Sequence, residues 1–197
     1  MKNMWDERYA AKEYIYGTTP NLFFREQLEK LEPGKLLLPA EGEGRQAVFA
    51  ALSGWQVTAF DPSIKGKEKA LRLAKLNNVN IEYLSVGYQD MDFNENSYDA
   101  IGLVYAHMPL LIRPKIHQKI ANYLKPGGKL ILEGFSKEQI NYSSGGPNNI
   151  EMLFSIDELL SDFNSLKNKE ISTQIVELDE GNLHKGEASV VRLIGTK

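Results

Sequence analysis

Leu36-Leu37-Leu38-Pro39-Ala40-Glu41-Gly42-Glu43-Gly44-Arg45 is the stretch that decides the fold. Three consecutive leucines read as a short strand buried on both faces. They run into a turn built from small residues, and Arg45 to Leu52 then reads as a helix closed by Ser53-Gly54. A buried strand, a glycine turn and a helix make the opening unit of a parallel sheet.

Working outward, the unit repeats. Gln56–Phe60 is a second strand that ends in Asp61-Pro62-Ser63. A helix from about Ile64 to Leu76 follows, expected to turn Ala70, Leu73 and Ala74 inward and Lys65, Lys67, Lys69, Arg72 and Lys75 to solvent. Ile81–Ser85 is a third strand and Tyr98–Tyr105 a fourth. Pro114 opens a helix with Ile116, Ile120, Tyr123 and Leu124 on one face. Lys125-Pro126-Gly127-Gly128 breaks it before a fifth strand, Lys129–Glu133. Ser155-Ile156-Asp157-Glu158 has the form of a capping box. Two β-like segments, Glu170–Leu178 and Ala188–Ile194, close the chain with hairpin spacing. The expected fold is a doubly wound α/β sandwich: a seven-stranded, mostly parallel sheet with an antiparallel C-terminal strand pair.

Before the first strand, Trp5, Tyr9, Tyr14 and Tyr16 crowd a segment that also carries Gly17 and Pro20. A helix is expected to start near Thr19-Pro20-Asn21 and to place Phe24, Leu28 and Leu31 on one face.

The 197 residues suit one domain, taken as 1–197. With 23 Lys+Arg against 26 Asp+Glu, bulk attraction to nucleic acid or an anionic membrane has no basis. The absence of Cys removes disulfides, thiolate metal sites and a cysteine nucleophile. No apolar run reaches the ~18 residues of a membrane span, and the N-terminus lacks a signal-peptide core, so a cytoplasmic protein is expected. Asp90, Asp92 and Glu95 read as turn-forming acids, and no metal site is expected.

Sheets of this kind bind ligands beyond the carboxyl ends of their strands, where the winding reverses. Gly42 and Gly44 let the backbone approach a ligand, and the following helix offers its amides. Asp61 stands 19 residues past Gly42, where an acid can accept both hydrogen bonds of a ribose diol. Pro62 follows it. A nucleoside-containing cofactor is therefore expected. Gly42-Glu43-Gly44-Arg45-Gln46-Ala47 also satisfies a dinucleotide fingerprint, so NAD stays in contention as the cofactor of an oxidoreductase. Glu41 and Glu43 place negative charge where a pyrophosphate would lie, which favours a cofactor with a cationic end.

The order of Leu38-Pro39-Ala40-Glu41-Gly42-Glu43-Gly44-Arg45, Asp61, Tyr98-Asp99-Ala100-Ile101 and Leu124-Lys125-Pro126-Gly127-Gly128 resembles class I S-adenosylmethionine-dependent methyltransferases. Trp5-Asp6-Glu7-Arg8-Tyr9 and Tyr16-Gly17-Thr18-Thr19-Pro20-Asn21 are similar to the tellurite-resistance and thiopurine methyltransferase branch. The resemblance implies S-adenosylmethionine as cofactor and methyl transfer to a small molecule, with a soft sulfur, selenium or tellurium acceptor as one class. It implies no nucleic-acid or membrane partner, and a monomer or homodimer. Leu38 and Ala40 stand where the family commonly has an acid and a glycine, so Glu41 becomes the expected counter-charge for the methionine amino group. Gly87 replaces an acid near the adenine, which leaves Tyr88 or Gln89 to hold the base. The cofactor set is then Ala40, Glu41, Gly42, Gly44, Asp61, Pro62, Tyr88, Gln89 and Tyr105.

At the tip of the fourth strand, Tyr105 and His107 are the candidate catalytic residues, His107 as a base or as a packed loop histidine. His117 is expected on the exposed face of its helix and His184 in a turn. Residues 1–20 could act as a lid, with Trp5, Tyr9 and Tyr16 as an aromatic wall. The polar loop 141–149 could gate the substrate. A non-catalytic S-adenosylmethionine-binding protein is the remaining alternative.

Overall fold

The computed structural model describes residues 2–197, with side chains from residue 4 onward; Met1 of the expected 1–20 lid lies outside the described residues. The elements are α1 (Lys2–Tyr9), α2 (Leu22–Leu28), β1 (Lys35–Pro39), α3 (Arg45–Leu52), β2 (Gln56–Phe60), α4 (Ile64–Leu76), β3 (Glu82–Leu84), β4 (Tyr98–Val104), α5 (Arg113–Tyr123), β5 (Leu124–Phe135), α6 (Ile156–Asp162), β6 (Lys167–Asp179) and β7 (Lys185–Thr196). Seven strands form one sheet in the order β3-β2-β1-β4-β5-β7-β6. The pairings from β3 through β5 are parallel, and β7 runs antiparallel to both neighbours. This is the expected α/β fold, with its winding reversed between β1 and β4.

The leucine run of β1 shows why the sheet is a middle layer. Leu37 points into the cluster that contains Ile116, Ile120 and Leu159 of α5 and α6. Leu36 and Leu38 point the opposite way, into the cluster with Phe24, Ala47 and Ala70 of α2, α3 and α4. Period-two alternation on a strand with no solvent face gives a continuous apolar run.

Local signals behave as their chemistry demands. Asn21 caps α2 by accepting the Phe24 amide at 2.9 Å, and Ser155 with Glu158 forms a reciprocal capping box on α6. Helix α2 stops at Leu28, short of the expected Leu31, and α1 forms where only aromatic and turn residues were read.

Two expectations need correction. Lys69 is buried, not solvated, because it is drawn to a buried carboxylate: its Nζ stands 2.7 Å from Glu43 Oε1 and donates to the Glu13 carbonyl. His117 is fully buried, not exposed; its Nδ1 lies 2.9 Å from Asp162 Oδ2, which also accepts from Arg113 Nε. A buried acid on α6 thus draws two polar residues of α5, Arg113 and His117, inward.

Among the described residues, no helix is long and apolar enough to cross a membrane.

Candidate active site

Two non-glycine residues outside the asparagines have positive φ among the described residues: Ala40 at +53° and Tyr105 at +51°. They stand just past β1 and β4, the two strands that flank the reversal of winding. Left-handed backbone costs an L-residue about 1–2 kcal/mol, so its persistence at both tips marks a constrained site. Ala40 holds a conformation that glycine adopts without steric cost. Past it, Gly42 and Gly44 have φ of +63° and +92°. Packing also requires both: a Cβ on Gly42 would stand 2.6 Å from the Tyr9 hydroxyl, and one on Gly44 would stand 2.5 Å from Ala70 Cβ.

Asp61 is buried at the tip of β2, beside this loop. Its Oδ2 accepts the Gly42 amide at 3.3 Å and its Oδ1 the Ser63 amide at 2.8 Å, leaving further lone pairs on each oxygen. Burial raises its pKa to about 6, against the pull of these amides.

The loop carboxylates both face protein. Glu41 Oε1 accepts the Ala47 amide at 2.8 Å, in the first turn of α3. Burial pushes its pKa up to about 8, despite that amide and the Arg45 charge. The expected counter-charge role does not fit this placement, since the carboxyl is committed to the helix and largely protonated at neutral pH. Glu43 pairs with Lys69, and its Oε2 accepts the amides of Ile15 and Tyr16 at 2.8 and 3.3 Å. It anchors the N-terminal segment to the glycine loop.

That segment spreads across the site. Asp6 accepts from Ser63 Oγ at 2.6 Å and from the Lys65 amide at 3.1 Å, which fixes α1 to the start of α4. Tyr9 is buried against Gly42, and Trp5 stacks on it at 5.4 Å with the Arg8 guanidinium 4.8 Å from its ring centre. Tyr16 lies farther along, beside His184 at 4.6 Å. Tyr16 also meets Tyr9 edge-on at 6.5 Å, so the three aromatics form one connected row.

His107 does not fit the role of base. Its Nδ1 pairs with the Met152 carbonyl at 2.8 Å, and its Nε2 accepts the Phe135 amide at 3.0 Å. This fixes the Nδ1-protonated tautomer and uses the only basic lone pair. Desolvation drives its pKa down to about 4.

Tyr105 donates to Glu133 Oε1 at 3.1 Å. Glu133, buried on β5, also accepts from Asn21 Nδ2 at 2.6 Å and Arg192 Nε at 2.6 Å. Asn21 bridges to Glu180 Oε1 at 2.8 Å, and Glu180 Oε2 takes Arg45 at 2.8 Å. Because β7 runs antiparallel to β5, the β6–β7 turn that carries Glu180 and His184 lies at the ligand end of the sheet. Sequence reading placed His184 in a turn and did not single out Glu180, although the antiparallel pairing it expected would have brought both here.

The donor set fits an S-adenosyl group. Beside Asp61 for a ribose diol, two buried polar atoms near the loop have no hydrogen-bond partner: Gln46 Oε1 in the first turn of α3, and the hydroxyl of Tyr88, whose ring meets Phe60 edge-on at 6.0 Å. The first can accept from an ammonium; the second can donate to or accept from an adenine. Gln89 and Pro62 border the same strand exits, Gln89 exposed.

Residues 39–128, which span the glycine loop, Asp61 and β4, match the family described as a methyltransferase domain. No curated protein matches the sequence significantly. Solved structures share the fold. One, described for conversion of a disulfide bond into a thioacetal group during echinomycin biosynthesis, is 15% identical with a TM-score of 0.80, covering 100% of this chain and 91% of its own. A SAM-dependent methyltransferase from Methanosarcina mazei is 17% identical with a TM-score of 0.70, over 91% and 98%. TehB from Haemophilus influenzae is 16% identical with a TM-score of 0.71, over 100% of this chain and 66% of its own.

Proposed function

We propose that the protein transfers the methyl group of S-adenosylmethionine to a small-molecule acceptor. The observation that carries this reading is the meeting of the glycine loop and Asp61 beside two left-handed strand tips, Ala40 and Tyr105, inside a segment that matches a methyltransferase domain. Asp61 would hold the ribose, Gln46 the amino end, Tyr88 the base, and Tyr105 would border the reacting end. When bound, the cofactor supplies an electrophilic methyl group on a sulfonium. The protein's contribution is alignment and the exclusion of water. Burial of Glu43 against Lys69 ties residues 15–16 over the loop, which closes the crevice on that side.

The acceptor is a small molecule on this reading. The N-terminal resemblance supports a soft sulfur, selenium or tellurium nucleophile as one class, an acceptor that needs no base. NAD is disfavoured because the loop offers a pyrophosphate two buried carboxyls and no free cation of its own.

Native mass spectrometry of the full chain with equimolar S-adenosylhomocysteine and NAD tests the reading. A single added S-adenosylhomocysteine is expected. A complex with NAD, or with neither, would overturn it.

A further inference from the structure

The sheet ends in two edge strands of very different length. β3 has three residues and offers little to pair with. β6 has 13, and β7 is its one neighbour in the sheet. A long edge presents a row of backbone amides and carbonyls that recruits another strand unless it is covered or disrupted. On β6 the disruption is confined to one end. The register with β7 slips between Lys167 and Glu170, around the left-handed Asn168 at φ of +47°, and runs unbroken from Glu170 to Asp179.

The side chains beyond the slip are self-complementary. Odd-numbered residues share one face: Ile171 lies opposite Leu193, Thr173 opposite Val191, Ile175 opposite Ser189 and Glu177 opposite Glu187. Lys169 joins them, since a Cβ on Gly195 of that face would stand 3.6 Å from its Cγ. Two copies meeting edge to edge about a twofold axis normal to the sheet run antiparallel and keep like faces together. With the axis at Thr173, Lys169 opposes Glu177, Ile171 opposes Ile175 and Ser172 opposes Gln174. Shifting the axis by one residue sets Ile171 against Glu177, or Ile175 against Lys169. Unlike charges and apolar pairs directly across antiparallel strands are favourable, and like charges are not.

A single copy leaves both needs unmet. Ile175 is 54% exposed. Glu177 faces the carboxylate of Glu187, both exposed, and neither has a cation paired to it among the described residues.

We propose that β6 is a homodimer interface, through which two copies join antiparallel with the twofold axis at Thr173. Each Ile175 is then covered by the partner's Ile171, and the partner's Lys169 supplies the cation that Glu177 and Glu187 lack. Lys169 Nζ donates to the carbonyls of Phe163 and Leu166, which keeps the ammonium at the start of the strand with a third donor to spare. No residue given a cofactor role takes part, so the interface stands apart from the methyltransferase reading.

Sedimentation velocity of the full chain over a wide range of concentration tests this. A reversible monomer–dimer equilibrium is expected. Lys169→Glu and Glu177→Lys should each weaken the dimer about 10-fold, since either change sets like charges opposite one another twice per dimer. An equimolar mixture of the two variants should dimerise again, because each copy then meets unlike charge; a defect in the fold of either variant would not be repaired by mixing. The chain has no cysteine, so Thr173→Cys places a single thiol at the axis. Mild oxidation should link it into a covalent dimer, whereas Glu170→Cys, which opposes Val176, should stay unlinked. A monomer at every concentration, a dimer that neither charge variant weakens, a mixture no better than its components, or equal cross-linking at the two cysteine positions would overturn the proposal.

Discussion

Lys69 Nζ stands 2.7 Å from Glu43 Oε1, and both side chains are more than nine-tenths buried. The pair joins α4 to the glycine loop and, through Glu43 Oε2, to the N-terminal segment. Removing one partner of a buried ion pair leaves an uncompensated charge, which costs about 3–5 kcal/mol. Lys69→Met should therefore destabilise the fold by that order in urea titration. The double variant Lys69→Met/Glu43→Gln should recover part of the loss. Equal destabilisation by the single and the double change would mean that packing, not charge, explains the pair.

Glu41 sets a pH dependence. Its folded pKa of about 8 lies above the ordinary carboxylate value of 4.5, so the folded chain keeps a proton that the unfolded chain releases between those values. Its contribution to stability is full below about 4.5 and is lost as pH rises through 8. Asp61 acts in the same sense between 3.8 and about 6. Glu180, lowered to about 2, acts in the opposite sense, and its contribution is lost as pH falls below 4.5. Melting temperature across pH 5–9 should fall toward the alkaline end, and Glu41→Gln should flatten that fall. An unchanged slope in the variant would contradict the burial of the Glu41 carboxyl.

His107 should behave as a structural residue. His107→Gln removes the pairing of one ring with both the Met152 carbonyl and the Phe135 amide, a loss of about 1–3 kcal/mol. Calorimetry should show a lower melting temperature with S-adenosylhomocysteine affinity within threefold of the parent. A tenfold loss of affinity at unchanged melting temperature would contradict this structural role.

The sequence carried the fold because its signals were local. The Leu36–Leu38 run, the Pro126-Gly127-Gly128 break and the Ser155–Glu158 box each depend on a few neighbouring residues. The loop and Asp61 were legible for the same reason: strand ends and glycines fix their place. What escaped depends on distant partners. Lys69 lies on a helix face rich in lysines, and only Glu43, 26 residues away, distinguishes it. His117 reads as exposed until Asp162 of α6 is placed beside it. Glu180 and His184 sit in a turn whose position is set by β7 pairing with β5, a contact between segments about 60 residues apart.

The central claim is that the Gly42–Gly44 loop and Asp61 hold an adenosyl ligand by its ribose. Isothermal calorimetry of S-adenosylmethionine into the full chain and into Asp61→Ala measures this directly. A single saturable site is expected in the parent. In the variant it should be weakened by about 1.5–3 kcal/mol, or roughly 10- to 150-fold, for a lost charged acceptor. No saturable heat in the parent, or equal affinity in the two proteins, would contradict the account.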